Sequence, residues 1–552
     1  MAKLITLPLL QLPLFLIVAL LISVPKCFSQ QSPTYLGFVV NATQLPPEEF
    51  YDYIVVGGGT AGCPLAATLS ERFKVLVLER GGVPYGNPNL MTQEGYLTAL
   101  TNIDAYDSPV QAFTSQEGVP NARGRVLGGS STINAGFYSR ADREFYRRSG
   151  IGWDLRMVNQ SYEWVERLIV FRPELKNWQV AVRDGLLEAG IDPYNGFSLD
   201  HVLGTKIGGS TFDSSGRRHI SADLLIYANP SNIRVAVHAS VERILLNSGS
   251  GSGFPAKHSA TGVVFRDQNG RFHHAMVRGK GEVLLSAGAL GSPQLLLLSG
   301  IGPRHYLSSL GIPVSLHSPY VGEFLFDNPR NGISIVPPLP LEHSLVQVVG
   351  ITSSGAYLEA VSNVIPLAAS SNALPFFVRT PSPPVFHTVA TILEKVVGPS
   401  SAGSLRLAST DVRINPVVRF NYFSDIGDLQ RCVNGTRKIG DVLRTSSMEG
   451  FKFSQWFGGR DFIYVGSALP SDLSNDALME EFCRQTVTTI WHYHGGCVVG
   501  KVVDTKLRVM GVKALRVVDG SIFTVSPGTN PQATLLMMGR YIGLQMLRER
   551  FD

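Results

Sequence analysis

The stretch Tyr53-Ile54-Val55-Val56-Gly57-Gly58-Gly59-Thr60-Ala61-Gly62, followed by Val75-Leu76-Val77-Leu78-Glu79-Arg80, constrains the fold of this chain more than any other segment. Two short apolar runs flank a glycine turn. The pattern predicts a strand, a turn, a helix and a second strand ending in an acid, the first unit of an α/β sheet that binds a dinucleotide. Gly57 permits the tight turn, Gly59 lets the backbone approach a pyrophosphate, and Gly62 lets the helix lie close on the strand. The phosphates then meet the unpaired N–H groups and positive dipole end of that helix. Glu79 is placed to accept hydrogen bonds from a ribose diol. The motif by itself does not choose between FAD and NAD.

At 552 residues the chain exceeds one ordinary core, so two domains or one large interleaved pair are expected. Apolar residues make up 44% and charged residues 16%, a globular rather than a disordered composition. The formal charge of +5 is small for this length and no Lys/Arg run is interleaved with aromatics, which leaves nucleic-acid binding without support. Met1-Ala2-Lys3, an apolar run densest from Leu14 to Val24, and Cys27-Phe28-Ser29-Gln30 form the three parts of a secretory signal over 1–29. Pro8, Gln11 and Pro13 interrupt the run, so no transmembrane anchor is expected once the signal is removed. Asn41, Asn159 and Asn434 each open an N-x-S/T triplet and become glycosylation acceptors if the chain is secreted.

Five cysteines become four when Cys27 leaves with the signal, and four allow three pairings. Cys63 falls inside the glycine-turn helix, where a small buried side chain is expected. Cys432 and Cys483 flank a long segment, and a bridge between them would suit an oxidising compartment. In the loop-entropy model it would contribute on the order of 4 kcal/mol.

Further along, Gly124-Arg125-Val126-Leu127-Gly128-Gly129-Ser130-Ser131-Thr132-Ile133-Asn134-Ala135-Gly136 leaves the backbone bare over a run of small residues, as a surface loop or a ligand-facing turn. Residues 232–237, 241–246, 260–265 and 282–288 read as strands, the last running into a helix from Ser292-Pro293 that stops at Ser299-Gly300. From about Arg304 to Phe482 the composition shifts to Pro, Ser and Val, read as a second, largely antiparallel domain. Residues 514–520 give another buried strand and 531–540 a final helix, which makes the nucleotide domain discontinuous. The expected divisions are a FAD-binding domain at 47–140, 206–303 and 483–552, and an α+β substrate domain at 141–205 and 304–482.

Four segments together resemble the glucose–methanol–choline flavoenzymes, in particular the plant branch of (R)-mandelonitrile lyases and HOTHEAD-type proteins. They are Gly57–Gly62 with Glu79, Gly124–Gly136, Gly288-Ala289-Leu290-Gly291-Ser292-Pro293 through Gly302, and Trp491-His492-Tyr493-His494-Gly495-Gly496 with Asp519 to Gln532. The resemblance implies an α/β FAD-binding domain and FAD as the dinucleotide. It implies Thr60 and Ala61 on the pyrophosphate, Glu79 and Arg80 near the adenosine ribose, and Val126 and Ser130 along the flavin side. Asn134, Ala135, Gly136 and Phe137 would follow the phosphates and ring, and Val241 the adenine. Trp491, Asp519, Gly520, Pro531 and Gln532 would close on the flavin. Some relatives tether FAD through a His at the position of Thr132, so non-covalent FAD is expected here. The resemblance also prefers the Cys432–Cys483 pairing. A monomer is expected, and the signal with the glycosylation acceptors leads to the extracellular space, cell wall or vacuole.

The same resemblance makes His492 the acid/base residue. Imidazole titrates near neutrality, so it can take the proton of a substrate hydroxyl and return it. Asn530 would hydrogen-bond that hydroxyl, and His494 is expected to be structural. No metal-ligand spacing appears among the histidines. Two reactions of a small hydroxyl-bearing substrate share the first step: hydride transfer from the carbinol to FAD, or cyanide expulsion from a cyanohydrin with no net redox change. Lyases of the branch carry a Tyr where Ile490 stands, a second His where Asn530 stands, and a pocket Cys near Ala356 to Val361, with Glu359 the nearest equivalent. These departures favour alcohol oxidation, with hydroxynitrile lyase the alternative and a secreted flavoprotein without turnover a third reading.

Overall fold

The structure, a computed structural model, describes residues 33–101, 108–248, 258–367 and 385–551. The signal segment 1–29, with Cys27, lies outside the described residues. The first sheet begins with β1, Glu48–Val56, whose inner end Ile54, Val55 and Val56 is buried on both faces, as a central parallel strand requires. A glycine turn leads to α1, Gly62–Leu69, and then to β2, Val75–Leu78, which runs parallel to β1. After a long excursion the chain returns with β3, Ile233–Val237, parallel to β2. An antiparallel meander follows through β4, Ser240–Ser248, β5, His258–Arg266, and β6, Phe272–Leu285. The far half of β6 lies parallel to β1, in register Val283 with Ile54 and Leu285 with Val56. The sheet order is therefore Val39–Asn41, β3, β2, β1, β6, β5, β4.

Helix α2, Gly288–Leu298, starts four residues ahead of the expected Ser292-Pro293. The cause is a cap from the far end of the chain: the Asp519 carboxylate accepts the Gly288 N–H at 3.0 Å and the Ser292 hydroxyl at 2.5 Å. Pro293 is accommodated inside the first turns.

The second sheet takes up the middle of the chain. Strand β7, Glu323–Phe326, belongs to a small separate four-stranded sheet; two residues further on β8, Pro329–Val336, opens the second sheet, and β9, Val348–Ile351, β10, Ala356–Leu367, and β11, Val385–Val396, follow. Its order is Ile463–Val465, β8, β11, β10, β9, Gly204–Ile207, Tyr194–Phe197, antiparallel except for the last pair. The expectation of a largely antiparallel sheet holds. Helices α3, Ile426–Leu443, and α4, Asp476–Thr486, lie against it, joined by the Cys432–Cys483 disulfide, while Cys63 and Cys497 are free and buried. Short strands β12, Thr488–Thr489, and β13, His494–Gly495, then bring the chain past β8 and β7.

Finally β14, Leu515–Val517, adds to the first sheet parallel to β6, and α5, Gln532–Phe551, covers α1. The last helix is longer than the expected 531–540 because Tyr541, Ile542 and Met546 continue its buried face. Burying each such aliphatic or aromatic side chain contributes about 1.5–3 kcal/mol. Among the described residues no helix is long and apolar enough to cross a membrane. Asn159 and Asn434 are exposed on helices, whereas the Asn41 amide oxygen accepts the Thr43 N–H at 3.0 Å.

Candidate active site

A cavity of about 500 Å³ runs between the two sheets. At one end its wall is backbone. Gly57 sits at φ +109°, and a Cβ there would lie 2.4 Å from the Ser286 carbonyl oxygen, so only glycine fits between β1 and β6. The second glycine run closes on the first: a Cβ on Gly129 would strike the Gly59 Cα at 2.7 Å. The amino end of α1 opens here, with Gly59, Thr60 and Ala61 in the wall. Gly62 lies behind it, tight against the Gly57 carbonyl.

Glu79 and Arg80 follow at the end of β2. The Glu79 oxygens accept the Gly58 N–H at 3.0 Å and the Gly81 N–H at 2.8 Å, so the carboxylate locks the glycine turn while remaining in the cavity wall. Burial pushes its pKa up, opposed by those N–H groups and the Arg80 charge. Burial lowers the Arg80 guanidinium to about 10. Ser130, Asn134, Ala135, Gly136, Phe137 and Val241 line the same cavity. Asn134 donates to Gln532 at 2.7 Å and accepts the Gly136 N–H at 2.9 Å, tying the second glycine loop to α5. Val126 is not in the wall; it is buried behind it against Leu90, Val110 and Ile133. Thr132 is also buried away from the cavity, its hydroxyl on the Leu127 carbonyl.

The other end is made of side chains: Arg330 of β8 and Glu359 of β10, with Ile490, Trp491, His492 and Asn530 from the segments that run past the second sheet and into α5. Asp519, Gly520, Pro531 and Gln532 line the same cavity. The His492 imidazole is pushed well below its ordinary pKa by burial first, then by the charges of Lys395, His494 and Arg330. It is therefore neutral near pH 7, the form that accepts a proton, and its Nδ1 has no hydrogen-bond partner. His494 is stacked on Phe326 at 5.2 Å, and its Nδ1 lies 2.9 Å from the His492 carbonyl, a structural placement. Asn530 precedes α5, and the Tyr357 hydroxyl reaches its amide oxygen at 3.4 Å. Glu359 lines the cavity from β10 and is buried, which raises its pKa against the pull of Lys395, Asn530 and Arg330. Tyr96, Leu97, Leu100, Val346, Val361 and Leu393 add apolar and aromatic wall, with Arg330 and Asn363 as further polar members.

Sequence reasoning missed Arg330, Tyr357 and Lys395. Tyr357, Glu359 and Val361 alternate along β10, and Lys395 lies opposite Tyr357 on β11, its Nζ 3.6 Å from the ring centre. A period-2 reading of 356–367 would have put the first three on one face. Nothing in the sequence pairs that face with Lys395.

A parallel strand–turn–helix unit with a glycine turn at its carboxyl edge, sharing one cavity with an imidazole and an amide, defines a dinucleotide-dependent enzyme class. Residues 51–330 and 399–539 match the amino- and carboxyl-terminal models described as GMC oxidoreductase, and the chain belongs to that family. It is 67% identical, over 94% of its length and 93% of the relative's, to "(R)-mandelonitrile lyase-like" of Arabidopsis thaliana. It is 50% identical to (R)-mandelonitrile lyase 2 of Prunus dulcis, over 94% of this chain and 90% of that one. It is also 50% identical to "Sinalpyl alcohol oxidase Nec3" of Nesocodon mauritianus, over 94% and 92%. Among solved structures, formate oxidase of Aspergillus oryzae shares the fold with a TM-score of 0.74 at 21% identity, covering 92% of this chain and 100% of that one. The family supports FAD as the dinucleotide, and the bare backbone at Gly57, Gly59 and Gly129 fits such a ligand.

Proposed function

We propose that the protein is a FAD-dependent oxidoreductase of small apolar or aromatic alcohols. The observation that carries this reading is a neutral, half-buried His492 in one cavity wall with Asn530, with Ile490 beside them. In it, His492 removes the carbinol proton and Asn530 orients the same hydroxyl. When bound, FAD supplies the acceptor for the carbinol hydride. The glycine residues 57, 59 and 129, with Thr60, Ala61, Ser130 and the 134–137 loop, hold the phosphates and ring. Glu79 and Val241 receive the adenosine half, and Gly520, Pro531 and Gln532 close on the flavin. The buried Thr132 side chain supports non-covalent attachment, since it offers no nucleophile to the cavity. The apolar wall of Tyr96, Leu97, Leu100, Val346 and Leu393 selects the substrate's hydrocarbon part. The signal segment and the disulfide support passage through the secretory pathway, with glycosylation at Asn159 and Asn434 and delivery to the extracellular space, cell wall or vacuole.

The lyase reading has one specific support: Arg330 and Lys395 both direct positive charge at His492, and such a field stabilises a departing anion. Overall identity is equal for a lyase and an alcohol oxidase, so it does not choose. Anaerobic mixing of the yellow protein with benzyl alcohol and with mandelonitrile separates the two. Bleaching of the flavin by the alcohol supports oxidation; benzaldehyde and cyanide from mandelonitrile without bleaching reverses the assignment.

A further inference from the structure

The segment that carries His492 is pinned at both ends by one pair of strands. On one side Thr488 and Thr489 of β12 pair with Arg330 and Pro329 of β8. On the other, His494 and Gly495 of β13 pair with Phe326 and Leu325 of β7. Between these pairings the four residues Ile490 to Tyr493 span only Asp327 and Asn328, so they must arch away from the sheet. The arch holds Trp491 at φ +58°, a left-handed backbone that strains a residue with a Cβ. The Thr489 hydroxyl accepts the Trp491 N–H at 2.7 Å, and the Arg330 guanidinium lies 5.4 Å from the Trp491 ring centre.

Asp327 lies beneath that arch and is 1% exposed. The Tyr422 hydroxyl donates to its Oδ2 at 2.5 Å. The Thr489 hydroxyl and the backbone N–H groups of His492 and Asn328 act on the same carboxylate, although Oδ1 makes no hydrogen bond of good geometry. Asn328 is in turn anchored, its amide donating to the Val396 carbonyl at 2.8 Å.

We propose that Asp327, with Tyr422 as its hydroxyl donor, is the positioning residue of this arch: its carboxylate under the His492 backbone sets how the imidazole projects into the cavity. It touches no substrate and acts only through His492. A shift of about 1 Å in a catalytic group costs on the order of a hundredfold in rate, so the effect of losing Asp327 falls on kcat rather than on KM.

The test uses the full chain loaded with FAD, as wild type and as Asp327→Ala, Asp327→Asn and Tyr422→Phe. Hydrogen exchange of peptides spanning 488–495 is followed beside kinetics with benzyl alcohol and mandelonitrile, both of which need a hydroxyl proton removed. Asp327→Ala is expected to speed exchange in 488–495 about tenfold, with exchange around 57–62 and the flavin content unchanged. Its kcat on whichever probe the wild type turns over falls about 10- to 100-fold, with KM held within about threefold. Asp327→Asn keeps an acceptor oxygen and recovers most of both, and Tyr422→Phe falls between. Unchanged exchange and kcat in the alanine variant overturns the proposal, as does loosening spread evenly over the chain. Should that variant fail to fold, the asparagine and phenylalanine variants decide it by the same two readings. The kinetic arm rests on the role proposed for His492 and the exchange arm does not. A wild type inert towards both probes would sink that role while the exchange result still decides the arch.

Discussion

The two ends of the cavity are built on different terms. The glycine end is backbone: turns at Gly57 and Gly129 brought within contact, with Glu79 locking one of them through two N–H groups. The far end is side chain: His492, Asn530, Glu359 and Arg330 come from four separate stretches and meet in one cavity wall only in the folded chain. A backbone site tolerates little substitution and varies little in what it holds. A side-chain site can change its chemistry one residue at a time.

The largest effect expected from separating the two ends is in His492→Ala. Turnover should fall about 10²- to 10⁴-fold while the protein stays yellow, measured by kcat and by the flavin absorbance per chain. A colourless variant would mean that the far end also holds the cofactor, and the contrast would collapse. The reverse substitution, Gly62→Val, places a Cβ 2.0 Å from the Gly57 carbonyl oxygen. It should destabilise by about 1–3 kcal/mol or more and abolish flavin retention, read by thermal denaturation and absorbance. A stable yellow Gly62→Val would show that α1 need not sit so close to β1.

Removing the Cys432–Cys483 link by a double serine substitution should lower stability by about 2–5 kcal/mol, read as a fall in Tm. Flavin content per folded chain should not change, because both helices lie on the second sheet. The pair Ile490→Tyr and Asn530→His sharpens the contrast at the side-chain end. Cyanide release from mandelonitrile should rise above the unmodified background with flavin content constant; high release before the change would show that these positions do not decide the chemistry.

The smallest effect is in pH. The His492 pKa is depressed, so the free base persists as pH falls and is lost only on passing through that lowered value. The acid limb of kcat should therefore lie below about 6.5, the ordinary imidazole value. A limb at or above it would mean that the ring is solvated in the working enzyme.

The glycine end was legible from sequence because its requirements are local. Gly57, Gly59, Gly62 and Glu79 fall within one strand–turn–helix–strand unit, where spacing dictates geometry. The strands at 232–237 and 260–265 were legible for the same reason, as apolar runs bounded by turns. The start of α2 was not, since its cap comes from Asp519, more than two hundred residues downstream. Neither was the position of Val126, whose burial behind the wall depends on neighbours around Leu90 and Val110. Lys395 and Asp327 were missed because strand pairing, not spacing, brings them near the site, whereas the alternation that places Tyr357 beside Glu359 is present in the sequence.

The first sheet draws its strands from both ends of the chain, with β14 added beside β6 and α5 laid over α1. During synthesis the glycine turn therefore leaves the ribosome hundreds of residues before the strand and helix that finish its surroundings. The cavity is complete only once nearly the whole polypeptide has been released. A premature stop that removed only the last helix would strip Gln532 and Leu535 from its wall and uncover α1.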